Sequence, residues 1–162
     1  MNAILVDREA LVALAVDAAR RGDADTVTRA VAAGVEVNAA SPRGDSLLML
    51  ACYHGHTEVI RALIDLGADP NQRDAKGQPP LTGVAFKGLL DVAVMLVDAG
   101  AEIDARSHDG RTPLMIAAAF NREEMVAWLL AHGASPDARD AAGRRAIDVA
   151  AAMGASVSVF RH

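Results

Sequence analysis

Aromatic side chains are nearly missing from this sequence: three Phe, one Tyr and one Trp among 162 residues. A core built round rings is thereby excluded, and each ring that remains calls for a reason. Cysteine is scarcer still. The single Cys52 has no partner for an internal disulfide, and its setting "MLACYHG" suits a small buried thiol. Long apolar runs are absent too. The opening "MNAILVDREA" offers four apolar residues before Asp7, Arg8 and Glu9, too few for a signal peptide, and no later run approaches membrane-spanning length. A cytoplasmic address without a membrane partner is expected. Nor is there an excess of positive charge: the formal net charge of −5 argues against a whole surface built to hold phosphates, so nucleic acid is not the expected partner.

The groups that carry catalysis do not assemble either. Of His54, His56, His108, His132 and His162, only "HGH" brings two close together, and a metal site needs more converging ligands. No Gly-rich phosphate loop and no credible pair of nucleophile and base occurs. The chain therefore reads as a non-enzyme, with no cofactor and no metal.

What is present is alanine, 35 residues of it, together with a repeat. Small side chains let helices approach closely and favour them. At a shift of 33 residues, Gly34, Gly67, Gly100 and Gly133 fall in one column, and Gly44, Gly77, Gly110 and Gly143 in another. A third column holds Gly22, Gly55, Gly88, Asn121 and Gly154, as a left-handed helix end requires. Between the columns each unit has two apolar runs of helical spacing, such as "TPLMIAAAF" and "EEMVAWLLAHG". The second run carries a stripe that recurs as Val59, Ile60, Leu63 and Ile64, then Val92, Ala93, Leu96 and Val97, then Met125, Val126, Leu129 and Leu130. Segments such as "GASPDARDAAG" follow, suited to an extended arm with a tight turn. Each unit thus predicts helix, short turn, helix and projecting hairpin.

The period of 33, with "TPL" opening the first helix, resembles the ankyrin repeat, most closely in "GRTPLMIAAAFNREEMVAWLLAHGASPDA" from Gly110 to Ala138. The resemblance covers nearly the whole chain. It implies an all-α solenoid of stacked helix-turn-helix units with projecting β-hairpin loops and a concave face of hairpin tips and first helices. One domain is expected over 1–162: an N-terminal capping unit at 1–40, full repeats at 41–73, 74–106 and 107–139, and a partial C-terminal cap at 140–162. The usage of Ala, Arg and Asp gives the chain a bacterial look. The motif histidine is replaced by Met49, Thr82, Met115 and Asp148, so any ladder it makes elsewhere must be absent or made otherwise. In the middle unit, "GQPPLTGVAFKG", Pro79 replaces the capping hydroxyl and Gly83 lies inside the helix, which predicts the weakest unit. Only eight residues follow Gly154, so Phe160 either folds back on the stack or is left exposed.

In such a stack, equal places in successive units form ladders. The two residues before the third glycine column are Arg20 and Arg21, Tyr53 and His54, Phe86 and Lys87, Ala119 and Phe120, then Ala152 and Met153. By the resemblance these places face the groove where partners are held. The rings either finish the core locally or form an exposed stripe, and the mixture of Arg, His, Lys and Met in their columns favours exposure. On that reading Tyr53, Phe86 and Phe120, with His54, Lys87 and Leu89 beside them, bind another protein. Arg43, Asp45, Lys76, Gln78, Asp109, Arg111 and Arg144 at the hairpin tips supply polar contacts. Arg73, Arg106 and Arg139, near acidic residues such as Asp74 and Asp140, read as hairpin ion pairs, and Trp128 as packing between units. The expected function is a non-catalytic interaction module acting as regulator, inhibitor or adaptor. The alternative is homo-oligomeric self-assembly through the same stripe or the short cap around Phe160.

Overall fold

The computed structural model of the protein describes the backbone of residues 2–161 and the side chains of residues 8–161. Among the described residues nine α-helices follow one another: α1 (Asn2–Arg21), α2 (Ala24–Ala32), α3 (Leu47–Tyr53), α4 (Thr57–Asp65), α5 (Pro80–Lys87), α6 (Leu90–Asp98), α7 (Pro113–Ala119), α8 (Glu123–Ala131) and α9 (Ala146–Ala152). A 3₁₀ turn at Ser158–Phe160 follows α9. The odd-numbered helices stack into one row and α2, α4, α6 and α8 into a second, with the 3₁₀ turn continuing the second row against α8.

Local chemistry sets the helix limits. The Ser46 hydroxyl accepts from Met49 N at 3.0 Å to start α3, and Thr112 accepts from Met115 N at 3.3 Å to start α7, where Pro113 fills the first position. At the same place before α5 stands Pro79, which has no side-chain oxygen to offer. The Asp148 carboxylate serves α9 instead by accepting from Arg145 N at 2.9 Å. At the other end, Asn121 adopts φ 55°, the only positive φ outside glycine among the described residues. Its side chain tolerates the left-handed turn, and its Oδ1 accepts from Ser156 N at 2.8 Å in the next unit.

Packing follows the 33-residue register. Ala18, Ala51, Val84, Ala117 and Ala150 occupy one column of the first row, and all are fully buried. Their small side chains let consecutive first helices meet closely. In the second row Ile60, Ala93 and Val126, and beside them Leu63, Leu96 and Leu129, are sealed from water, while Ile64, Val97 and Leu130 are only half-buried. Cys52 is fully buried, and burial pushes its thiol pKa far above the usual range, so it stays an inert core group. Phe160 is half-buried and folds back onto the stack, and Trp128 packs against the core while its ring stacks on His132 at 4.2 Å.

The arms between units differ in detail from the expected β-hairpins. Among the described residues no strand forms, only one antiparallel bridge between Ala40 and Ser46. Each tip is a tight turn closed by two repeated backbone bonds, as from Asp74 N to Gln78 O at 3.0 Å and Gly77 N to Asp74 O at 3.0 Å. The turn takes up nearly all of the arm, so no ladder has room to grow. Neighbouring arms are joined backbone to backbone, His108 N to Lys76 O at 3.1 Å and Ala141 N to Asp109 O at 2.9 Å.

The recurring arginines require a correction. Arg73, Arg106 and Arg139 do not form hairpin ion pairs; they donate to backbone carbonyls. Arg73 bonds Gly77 O in its own arm and Arg106 O in the next, Arg106 bonds Arg139 O at 3.0 Å, and Arg139 bonds Gly143 O at 2.7 Å. These arms leave carbonyls unpaired, and a guanidinium has five donors with which to reach them. A second ladder runs beside the first: Asn38 Oδ1 accepts from Asp69 N, Asn71 Oδ1 from Glu102 N and Asp104 from Ser135 N, each 31 residues on. Together these ladders occupy the role open to the missing motif histidines.

Two outcomes test this account. Arg106→Ala is expected to cost about 1 kcal/mol in denaturant unfolding, by an amount nearly independent of salt; a cost that disappears at high salt would restore the ion pair. Asp140 is buried and accepts from Arg144 N, Ala142 N and the Arg144 guanidinium, which hold its carboxyl below the usual range. The unfolded chain therefore takes up the proton first as pH falls. The stabilisation is complete above the unfolded value of about 3.9 and is lost as pH drops toward the lower folded value. Asp140→Asn is expected to lower the melting temperature near neutrality and to approach the wild type in acid; parallel pH curves would refute the assignment.

Candidate binding groove

First helices and arm tips meet on one side of the stack around a groove of about 540 Å³. Its walls include Tyr53 at the end of α3, Phe86 near the end of α5 and Phe120 just after α7. The three rings arrive together because each sits before the left-handed residue that ends its helix. Tyr53 is 42% exposed and Phe120 43%. Phe86 is half-buried, since Phe120 lies edge-to-face on it at 4.5 Å, a favourable arrangement of ring quadrupoles. Local packing and exposure therefore coexist: the Phe pair braces itself and still lines the groove.

Of the tip residues, Asp45, Lys76, Gln78 and Arg111 line the same groove. The other expected residues are distributed differently. Arg43 faces a separate cleft of about 1030 Å³ between the first arm and α1, lined also by Arg8, Val12, Val16 and Arg20. Asp109 is occupied within its own turn, accepting from the Ser107 hydroxyl and pairing with Arg111 at 3.3 Å, and the Ser107 bond holds its carboxyl below the usual range. Arg144 is drawn onto Asp140 at 3.0 Å. Leu89 is a correction: it stands just before α6 without a capping bond, is half-buried and packs against the core, because the turn after Gly88 directs it into the stack rather than along the stripe.

His54 and Lys87 stand at the edge of the groove with work inside the fold. His54 meets the Tyr53 ring edge-on at 5.4 Å and stacks with His56 at 6.0 Å. Partial burial, with Lys87, His56 and Arg20 nearby, pushes its imidazole pKa below the ordinary value. Lys87 places Nζ 4.2 Å from the centre of the Tyr53 ring and donates to Tyr53 O at 2.9 Å. Equivalent carbonyls are closed in the same way, Arg20 O by His56 Nε2 at 2.9 Å and Phe86 O by Arg122 Nε at 2.8 Å.

Two groove residues acquire meaning only in the structure. Gly83, the one glycine that the repeat did not explain, lies beneath Tyr53, and a Cβ there would approach the ring Cδ2 to 3.4 Å. Thr82 is 3% exposed and lines the groove, yet its hydroxyl oxygen has no hydrogen-bond partner in the protein. A leucine or histidine there would pose no such question, so only the departure from the motif was a signal.

Among the described residues no group of His, Cys, Asp or Glu converges as metal ligands, and no helix is long and apolar enough to cross a membrane. His162 lies outside the described residues. A family model for ankyrin repeats (3 copies) matches residues 15–107 and again 84–161. The chain belongs to the ankyrin-repeat family, whose repeats are in general protein–protein interaction modules. No curated protein matches it.

Gly83→Ala isolates the contact under Tyr53. The helix gains up to about 1 kcal/mol from the substitution, and the exposed ring can yield by a few tenths of an ångström. The expected result is a higher melting temperature with displaced NMR signals from the single Tyr ring; unmoved signals would show that Gly83 does not shape the groove.

Proposed function

We propose that this protein is a non-catalytic module that captures another protein in the groove lined by Tyr53, Phe86 and Phe120, acting as a regulator, inhibitor or adaptor. The observation that carries the reading is the convergence of three rings from three consecutive units on one cavity, two of them substantially exposed. Rings lose little conformational freedom on binding, and such anchors dominate contact energies. A specific contact needs about 800 Å² from each side, an extent that a groove shared by three units and their arms supports. In the same proposal the units run 1–40, 41–73, 74–106, 107–139 and 140–162, and the site of action is cytoplasmic.

Self-assembly is the second reading. Met153, which follows Phe120 in its column, is 59% exposed and lengthens the apolar stripe, whereas Phe160 is engaged with the stack. Light scattering separates the two, a monomer at tens of micromolar discarding self-assembly.

The decisive variant replaces Tyr53, Phe86 and Phe120 together with Ala. Its helical content and cooperative unfolding are expected to persist, while capture of a partner from lysate is lost. Collapse of the fold would show that the rings are core, and undiminished capture would place the contact elsewhere.

A further inference from the structure

Charge is divided between the two sides of the stack. The four arms, residues 39–46, 72–79, 105–112 and 138–145, carry eight cations against four carboxylates. The second helices α2, α4, α6 and α8 carry seven carboxylates against two cations. Much of the acidity of the chain therefore sits on the second helices, none of which lines the groove. On the groove side the fold has already engaged most carboxylates: Asp74 accepts from Lys76 N and Gln78 N, Asp109 and Asp140 pair with arginines of their own turns, and Asp148 pairs with Arg145, which leaves Asp45 as the groove-lining carboxylate without a side-chain partner among the described residues. Arg43, Lys76, Lys87 and Arg20 have no carboxylate partner among the described residues, and all four are exposed. Lys76 stands in the groove wall, Lys87 over Tyr53, and Arg43 and Arg20 in the separate cleft beside α1, where Arg8 adds a cation and Glu9 and Asp17 two carboxylates.

We infer that the groove is selective for an acidic segment of a partner protein that carries one large apolar side chain. The apolar group enters the cavity between Tyr53, Phe86 and Phe120, and the flanking carboxylates meet Lys76 and Lys87 and then Arg43 and Arg20 toward α1. Complementary charge adds selectivity and speeds encounter, and the acidic second helices repel the same segment from the opposite side. Nucleic acid would also answer to the cations, but a cavity walled by three rings, Met49, Leu50 and Ile116 offers an apolar side chain more than it offers a phosphate. The inference rests on the groove reading above and adds the chemistry of its occupant.

A displayed library of random dodecapeptides, panned against the whole protein, tests it. Enriched peptides are expected to be rich in Asp and Glu around a single Leu, Ile, Phe or Trp. Their binding is expected to weaken about tenfold on Arg43→Glu with Lys76→Glu, to weaken further with added salt, and to be lost on Phe120→Ala, with circular dichroism unchanged. Neutral or basic peptides that still depend on Phe86 and Phe120 would overturn the acidic preference and leave the groove intact. Peptides indifferent to every groove variant, or no enrichment at all, would overturn both. A labelled single-stranded oligonucleotide that binds and is released by the same charge reversals would overturn the inference in favour of nucleic acid.

Discussion

Close approach of the first helices is the constraint on which the rest of this structure depends. Ala18, Ala51, Val84, Ala117 and Ala150 sit where consecutive helices meet, and none has any exposed surface. Interiors packed to crystal-like density have no slack for a larger group there. Keeping that column small keeps the units in register, and register brings residues 33 apart in sequence onto one surface. The groove is a consequence: Tyr53 and Phe86 are neighbours because Ala51 and Val84 can be.

The arms obey a different rule from the helices. Their order comes from hydrogen bonds between units, arginines to carbonyls and asparagines to amides, rather than from apolar burial. Turn carboxylates such as Asp74 and Asp140 are used up in holding their own tips together. Positive charge is left over on the arms while negative charge collects on the second helices, so a chain that is acidic as a whole presents a basic edge to its groove. Net charge alone hid that polarity.

Much of this was legible in the residues, for reasons that can be located. Thr112 followed by Pro113, and Asn121 in a glycine column, are local signals, and local backbone chemistry decides helix ends. The exposure of Phe120 was readable from its column, which mixes ring, cation and thioether, because only surface columns tolerate such mixtures. The fate of Arg73 and Arg106 was not readable: every residue owns a carbonyl, so a carboxylate nearby in sequence attracts notice while the true acceptor leaves no mark. Leu89 looked like part of the stripe because it follows Lys87 closely, but the left-handed Gly88 between them turns the chain inward. Gly83 looked like a flaw in a helix, and its value appears only with the Tyr53 ring above it.

The closure of helix-end carbonyls by the following unit makes the array directional. His56 holds the end of α1, Lys87 that of α3 and Arg122 that of α5, always from the C-terminal neighbour backward. Ala155 stands where a fourth such side chain belongs and has nothing to donate from its methyl group. The end of α7 thus goes without this closure, and each unit that lets go uncaps the one before it, as teeth release along a zip fastener.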